Sequence, residues 1–414
     1  MERLRAHRFE LDPTDRQRTA FRRAADLARK AYNWGLAERE RDYRERVQPA
    51  RERGERVRSL TTIDQMTRWR AIQDAEFPWA REFSSRIPRH ALIDLDRAYQ
   101  NWWAHRARHP RYKAKNRARA AFRLSEGVCV DARHVALPRM GAVRLKGHPD
   151  GRVRGTIKQA TVSEMAGRWY VSLLVSEDAP EIIMRVPASD AEIVGVDVGL
   201  RHSLVLSTGE VIQGPRALKA NLIRLRRAQQ ALARSQRSSA RRRRKVARVA
   251  RLHARVANIR RDWQHRVSDD LTCRFAVVGH EDLNVRGLSC HRGHNGRSWA
   301  DLGIAELFRQ LDYKAAWRGN TIVVVDRWYP SSKTCSACGA RNTSLKRGDE
   351  TFVCPACGIR LDRDLNAAIN LRPVAVIPPE TQNARRGNVR PRSAPPVLWQ
   401  IPLKREPAGG RLAA

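Results

Sequence analysis

Two Cys-x-x-Cys pairs, Cys335/Cys338 and Cys354/Cys357, stand just ahead of the segment Asp362-Arg363-Asp364-Leu365-Asn366-Ala367-Ala368. The fifteen residues between the pairs, 339–353, bring four thiolates within reach of one tetrahedral ion. One structural Zn²⁺ held by these four cysteines is therefore the expectation. Gly339 and Gly358 follow the two pairs, where a tight turn must aim backbone amides at sulfur. The competing reading is two redox or disulfide pairs. Cys129, Cys273 and Cys290 remain, an odd number, which argues against a disulfide framework.

The 414 residues carry a formal net charge of +38 and a sequence pI near 11.3. A charge of that size repels itself in a compact chain, so a polyanionic partner is expected, and nucleic acid is the first candidate. Binding should weaken steeply with salt. The basic residues run through the whole chain rather than forming one amphipathic anchor, and no apolar run approaches the length of a membrane span. Met1-Glu2-Arg3-Leu4-Arg5 lacks a signal-peptide core. The expectation is a cytoplasmic, nucleoid-associated prokaryotic protein with no membrane partner.

Periodicity divides the chain. Arg3 to Leu11 reads as a strand ended by Asp12-Pro13, and Thr14 or Asp15 can cap the helix that follows. Leu92, Leu95, Tyr99 and Trp102 form an i, i+3, i+4 stripe expected to be core. From Ala121 to about Ser176 the period becomes two, with a hairpin turn at Ala166-Gly167. A third region opens on the buried-strand run Ile193-Val194-Gly195-Val196-Asp197, with short strands at 204–206 and 211–212. A basic helical stretch, about 216–271, breaks near Ser235 to Ser239 and contains Arg241-Arg242-Arg243-Arg244-Lys245. A strand leading into Glu281, a helix near 304–317, a strand at 322–325, the finger and a last helix follow.

Three strands, a helical excursion, then strand, helix, strand and helix is the order of an RNase H-like domain. Asp197 falls within its first strand, Glu281 just past its fourth, and Asp364 on its final helix. Three such carboxylates meeting at one sheet edge would suit phosphodiester hydrolysis, in which hard oxygen ligands hold two Mg²⁺ or Mn²⁺ ions roughly 4 Å apart. Each acid taken alone reads as a cap or a salt-bridge partner; the order of all three favours catalysis. Asp362 competes with Asp364, but its place at the helix start suits a cap, whereas Ala367 and Ala368 let the helix face bearing Asp364 press close to the sheet. Cys290, His291 and His294 suggest a further metal site only weakly, because no fourth ligand is evident.

Asp326-Arg327-Trp328-Tyr329-Pro330-Ser331-Ser332-Lys333-Thr334-Cys335, Glu281-Asp282-Leu283-Asn284-Val285-Arg286-Gly287-Leu288 and the run from Asp362 to Asn370 resemble the TnpB (OrfB) family of insertion-sequence proteins, relatives of the compact type V CRISPR effectors. Tyr32-Asn33-Trp34 and Leu92 to Trp103 echo that family's opening helices. The resemblance covers nearly everything but the tail. It implies a multi-domain α+β and α/β architecture: an RNase H-like (RuvC-type) nuclease domain with an inserted zinc ribbon, and an antiparallel wedge-like β-barrel with an inserted helical recognition lobe. The expected bounds are 1–11 for the first barrel strand, 12–119 for the helical lobe and 120–188 for the barrel. The nuclease domain takes 189–332, the finger 333–360, the last nuclease helix 361–372 and a disordered tail 373–414.

The resemblance further implies an RNA-guided DNA endonuclease of a transposable element. The guide RNA would come from the element's own end, and double-stranded target DNA would be cut beside a short flanking motif by a monomer on one RNA. Asp197, Glu281 and Asp364 match the family's catalytic positions, and the four cysteines match its zinc ligands. Two rivals stay in view: a transposase acting directly on element ends without RNA, and a non-cutting nucleic-acid regulator.

Overall fold

The computed structural model describes residues 2–115, 118–147, 153–290, 294–346, 348–372 and 390–391. The chain divides into two units, 1–180 with 246–251 and 181–245 with 252–414.

In the first unit β1 (Glu2–Asp12) is central to an antiparallel sheet. Its companions are β2 (Ala121–Leu124), β3 (Cys129–Val130), β4 (His134–Leu137), β5 (Gly141–Lys146), β6 (Thr156–Met165) and β7 (Arg168–Asp178). The order is β2-β6-β7-β1-β5-β4-β3. β1 pairs along its length with β7, from Glu2 opposite Asp178 to Leu11 opposite Trp169. The period-two pattern is realised: Trp169, Val171, Leu173 and Val175 are all buried. The strand order runs from β2 to β3, so among the described residues the antiparallel sheet expected from the period-two pattern is present, and no pairing that closes it into the wedge-like barrel implied by the resemblance is seen.

Helices follow β1 before the sheet resumes. Thr14 caps the first, Asp15–Asp42, in a reciprocal capping box with Gln17. Helices Thr62–Glu76 and Arg86–Trp103 follow. Phe21 packs against Trp169 with ring centroids 5.1 Å apart and against Phe122 at 5.8 Å, which fixes the first helix on the sheet. Of the expected core stripe, Leu92, Leu95 and Tyr99 are buried but Trp102 is 37 % exposed. That stripe leaves the core in the last helical turn, where Trp102 and Trp103 meet the rings of Tyr99 and His109.

By its packing the second unit takes up the chain at residue 181. After Pro180 the chain turns along this unit: Arg185 N–H donates to Gly319 O at 2.8 Å and its side chain to Cys273 O at 3.0 Å. These long-range bonds leave no local signature.

The sheet here contains β8 (Ile193–Asp197), β9 (Leu204–Leu206), β10 (Val211–Ile212), β11 (Val277–Glu281) and β12 (Thr321–Val325). The order is β10-β9-β8-β11-β12, continued by residues 390–391, a pair from the expected tail; the rest of that tail lies outside the described residues. β8, β11 and β12 are parallel, while β9 and β10 run antiparallel. β8 is buried along all but its last residue, as a strand covered on both faces must be. The helices Ala217–Ala233 and Ala240–Arg274 realise the basic stretch with its expected break, and Ile304–Arg318 joins β11 to β12. A small ribbon, β13 (Thr351–Val353) with β14 (Arg360–Asp362), leads into the last helix, Arg363–Leu371.

Candidate active site and metal centre

Asp197 ends β8 and Glu281 ends β11, adjacent parallel strands whose last registered pair is Val196 with His280. The two carboxylates thus emerge side by side at the same edge of the sheet, just past the last pair of the β8–β11 ladder. His280 is buried and stacks on Phe308 with centroids 3.9 Å apart, which holds the end of β11. Ser331 Oγ donates to Glu281 Oε1 at 3.4 Å.

Asp364 arrives on the first turn of the helix Arg363–Leu371. Asp362 caps that helix, accepting from Asp364 N–H at 2.9 Å and Leu365 N–H at 3.1 Å through one oxygen. The cap role leaves Asp364 facing the sheet. Gly195 lies under the same helix: a Cβ there would collide with Ala368 O, Arg372 N and Leu371 C. Ala367 and Ala368 are buried at this contact. Asp364 Oδ2 consequently lies 3.8 Å from where a Cβ on Gly199 would sit, two residues beyond Asp197.

Burial raises the Asp197 carboxyl to about 7, and the neighbouring charges of Asp364 and Glu281 add to the effect. Burial likewise raises Glu281 and Asp364, with Asp362 contributing to Asp364. Three carboxylates brought to one half-enclosed edge are hard oxygen donors, and they fit hard divalent cations. The three acids are spaced more widely than ligands of a single ion. Among the described residues only the four thiols form a group with all ligand atoms within 4.8 Å. A pair of ions roughly 4 Å apart needs ligands on either side of it, and so does not require all three acids in one coordination sphere.

Those thiols belong to Cys335, Cys338, Cys354 and Cys357. Sγ of Cys335 and Cys357 lie 3.7 Å apart, and those of Cys338 and Cys354 3.5 Å apart. Sulfurs at the corners of a tetrahedron with ~2.3 Å bonds to its centre would be roughly 3.8 Å apart. Gly339 and Gly358 have φ of +76° and +73°, and their N–H groups donate to Cys335 O at 3.0 Å and Cys354 O at 3.1 Å, which closes each turn. Cys354 Sγ accepts from Ala356 N–H and Cys357 N–H at 3.4 and 3.5 Å, and the Cys357 amide above all holds its thiol down to about 6. The four sulfurs could hold one metal ion.

Sequence reasoning missed Asn366 and Asn370, which bind finger and helix together. Asn366, fully buried, donates to Thr334 O at 2.8 Å and accepts from Ser336 N–H at 3.0 Å. Asn370 donates to Ser331 O and Thr334 O. Their i, i+4 spacing on one helix face was the available signal. Cys290 is exposed, while residues 291–293 and the side chain of His294, named with it as a weak metal site, lie outside the described residues.

Two adjacent strand ends and a capped helix, each presenting an acid, with a four-cysteine finger spliced ahead of that helix, define a class of α/β protein with an acid-lined sheet edge. The chain belongs within it to the TnpB (OrfB) family of insertion-sequence proteins. Family models match "Helix-turn-helix domain" of OrfB from IS605 at residues 1–48, "Probable transposase" of the same family at 172–291, and "Cas12f1-like, TNB domain" at 305–371. Two relatives carry the description "Putative RNA-guided DNA endonuclease". One, from Streptomyces pristinaespiralis, is 33% identical over 97% of this chain and 96% of its own length. The other, InsQ of Escherichia coli (strain K12), is 30% identical over 90% of this chain and 92% of its own. A solved Cas12f1–sgRNA–target DNA complex is a looser likeness, with TM-score 0.33 and 14% identity over 90% of this chain and 99% of that one. Among the described residues, no helix is long and apolar enough to cross a membrane.

Proposed function

We propose that the chain is an RNA-guided, metal-dependent DNA endonuclease whose second unit is an RNase H-like (RuvC-type) nuclease. The observation that carries this reading is the approach of Asp197, Glu281 and Asp364 to one sheet edge, close enough that Asp364 and Glu281 raise the Asp197 carboxyl. Its support is the strand order, the +38 charge and the near full-length relatives described as RNA-guided DNA endonucleases.

Asp197, Glu281 and Asp364 would hold two Mg²⁺ or Mn²⁺ ions, which supply an activated water and charge to offset the leaving oxygen. The chain's own residues set the geometry. Ser331 fixes Glu281, Asp362 orients the helix that delivers Asp364, and Gly195 admits that helix against β8. Cys335, Cys338, Cys354 and Cys357 would hold a structural Zn²⁺, and Asn366 and Asn370 transmit that order to the Asp364 helix. Guide RNA would pair with the target strand, while the protein reads heteroduplex shape and a short flanking duplex motif. In this reading the first unit supplies the wedge-like and helical recognition surfaces.

The test is cleavage of a matched plasmid with Mg²⁺ by protein purified with its co-expressed RNA. Double-strand cuts that require both RNA and match support the reading. Joining or cutting of element ends by RNA-free protein would favour a direct transposase, the activity suggested by the "Probable transposase" match.

A further inference from the structure

We propose that Trp328 is a base-stacking residue that holds an unpaired DNA base beside the three carboxylates. The substrate rests on the nuclease reading above, but the stacking can be tested without cleavage.

Trp328 is 84 % exposed, more than any other large apolar side chain among the described residues. An exposed apolar side chain taken singly needs no explanation. What sets Trp328 apart is its mount. Trp328 N–H donates to Asp326 Oδ1 at 2.8 Å, and Tyr329 N–H to Asp326 O at 3.0 Å, closing a turn directly after β12. On one side Arg327 pairs with Asp282 at 2.6 Å, the residue next to Glu281. On the other, Ser331 is buried, donates to Glu281, and offers its carbonyl to Asn370 on the Asp364 helix at 2.8 Å. The turn is thereby tied to the elements carrying two of the three acids.

An indole held this way has already lost the backbone freedom that a loop would otherwise forfeit on binding. No hydrogen bond or ring contact engages the indole among the described residues. A base in a duplex has both faces covered by its neighbours, so the ligand that fits is a single strand with an unstacked base. Stacking on an aromatic face tolerates any base, as a nuclease directed by a separate guide requires. Ser331 then links two functions: it fixes Glu281 and anchors the turn that would position the strand.

The experiment uses the full chain in EDTA at about 0.3 M salt, where non-specific phosphate contacts are weakened. The probe is single-stranded oligothymidylate carrying one 5-iodouracil, which forms photoadducts with stacked aromatic rings. The expected result is an adduct mapped to Trp328. Trp328→Ala should lose it and bind the oligonucleotide about 5- to 150-fold more weakly, the range of one base–aromatic stack. Trp328→Phe should restore most of the affinity, and neither variant should shift the melting temperature. Absence of an adduct with unchanged affinity in Trp328→Ala overturns the proposal, as does a Phe variant no better than Ala. A chain that never cuts DNA yet forms the adduct refutes the nuclease reading and leaves stacking intact. RNA-directed cutting at the wild-type rate by Trp328→Ala, without any adduct in the wild type, does the reverse.

Discussion

The carbonyl oxygen of Ala368 occupies the space that a Cβ on Gly195 would need. This single approach sets the distance between the strand ending in Asp197 and the helix that carries Asp364. Gly195→Ala should therefore push the helix off the sheet, costing roughly 1–3 kcal/mol or more, since the obstacle is backbone that cannot rotate away. Thermal unfolding should show the loss. Cleavage should fall further than stability alone explains, because the two acids separate.

Asn366 should matter as much to the finger as to the helix. It is fully buried and satisfies Thr334 O and Ser336 N–H. Asn366→Leu leaves Ser336 N–H without its partner, at about 1–3 kcal/mol, while Thr334 O keeps the bond from Asn370. The expected outcome is lower stability together with faster loss of zinc to a chelator. Unchanged zinc retention would show that finger and helix are independent.

Zinc content itself tests the four thiols. Wild type should carry one zinc per chain, and Cys354→Ser, which removes the sulfur receiving two amide hydrogen bonds, should carry much less. Metal analysis by atomic emission decides this. Full zinc retention in the variant would contradict a four-sulfur site.

The acidic edge predicts a definite pH dependence. The Asp197 carboxyl rises from 3.8 unfolded to about 7 folded, through burial and then the charges of Asp364 and Glu281. Between those values the folded chain holds a proton the unfolded chain has released, so this group's contribution is favourable at low pH and is lost as pH rises toward 7. In EDTA at pH 8, Asp197→Asn should be more stable than wild type, by on the order of a few kcal/mol, and the difference should vanish near pH 4. Divalent cations compete with that proton, so Mn²⁺ should bind more tightly as pH rises through 7. Chemical denaturation at the two pH values measures the first effect and calorimetric titration the second.

Local chemistry made much of this legible in the sequence. The run Ile193 to Asp197 announces a strand buried on both faces with an acid at its end, and the cysteine spacing is set within a short segment. The break between the two basic helices shows in its Ser-rich residues. What depends on distant packing stayed hidden. The role of Gly195 exists only once the helix from Arg363 to Leu371 lies across it, and Gly319 admits Ile183 O in the same way. Nothing local marks the course of the chain after Pro180, where Arg185 is held by bonds to Gly319 and Cys273. Trp102 shares the helical period of Leu92, Leu95 and Tyr99, yet periodicity cannot say where a covering surface ends.

The proposed guided cleavage would depend on three carboxylates sharing divalent cations, and Mn²⁺ can be located directly. Crystals of the protein with RNA and an uncleavable DNA, grown with Mn²⁺, should show anomalous density about 2.1–2.2 Å from carboxylate oxygens of Asp197, Glu281 and Asp364. Density at the four cysteines alone, with none at the sheet edge, would contradict it.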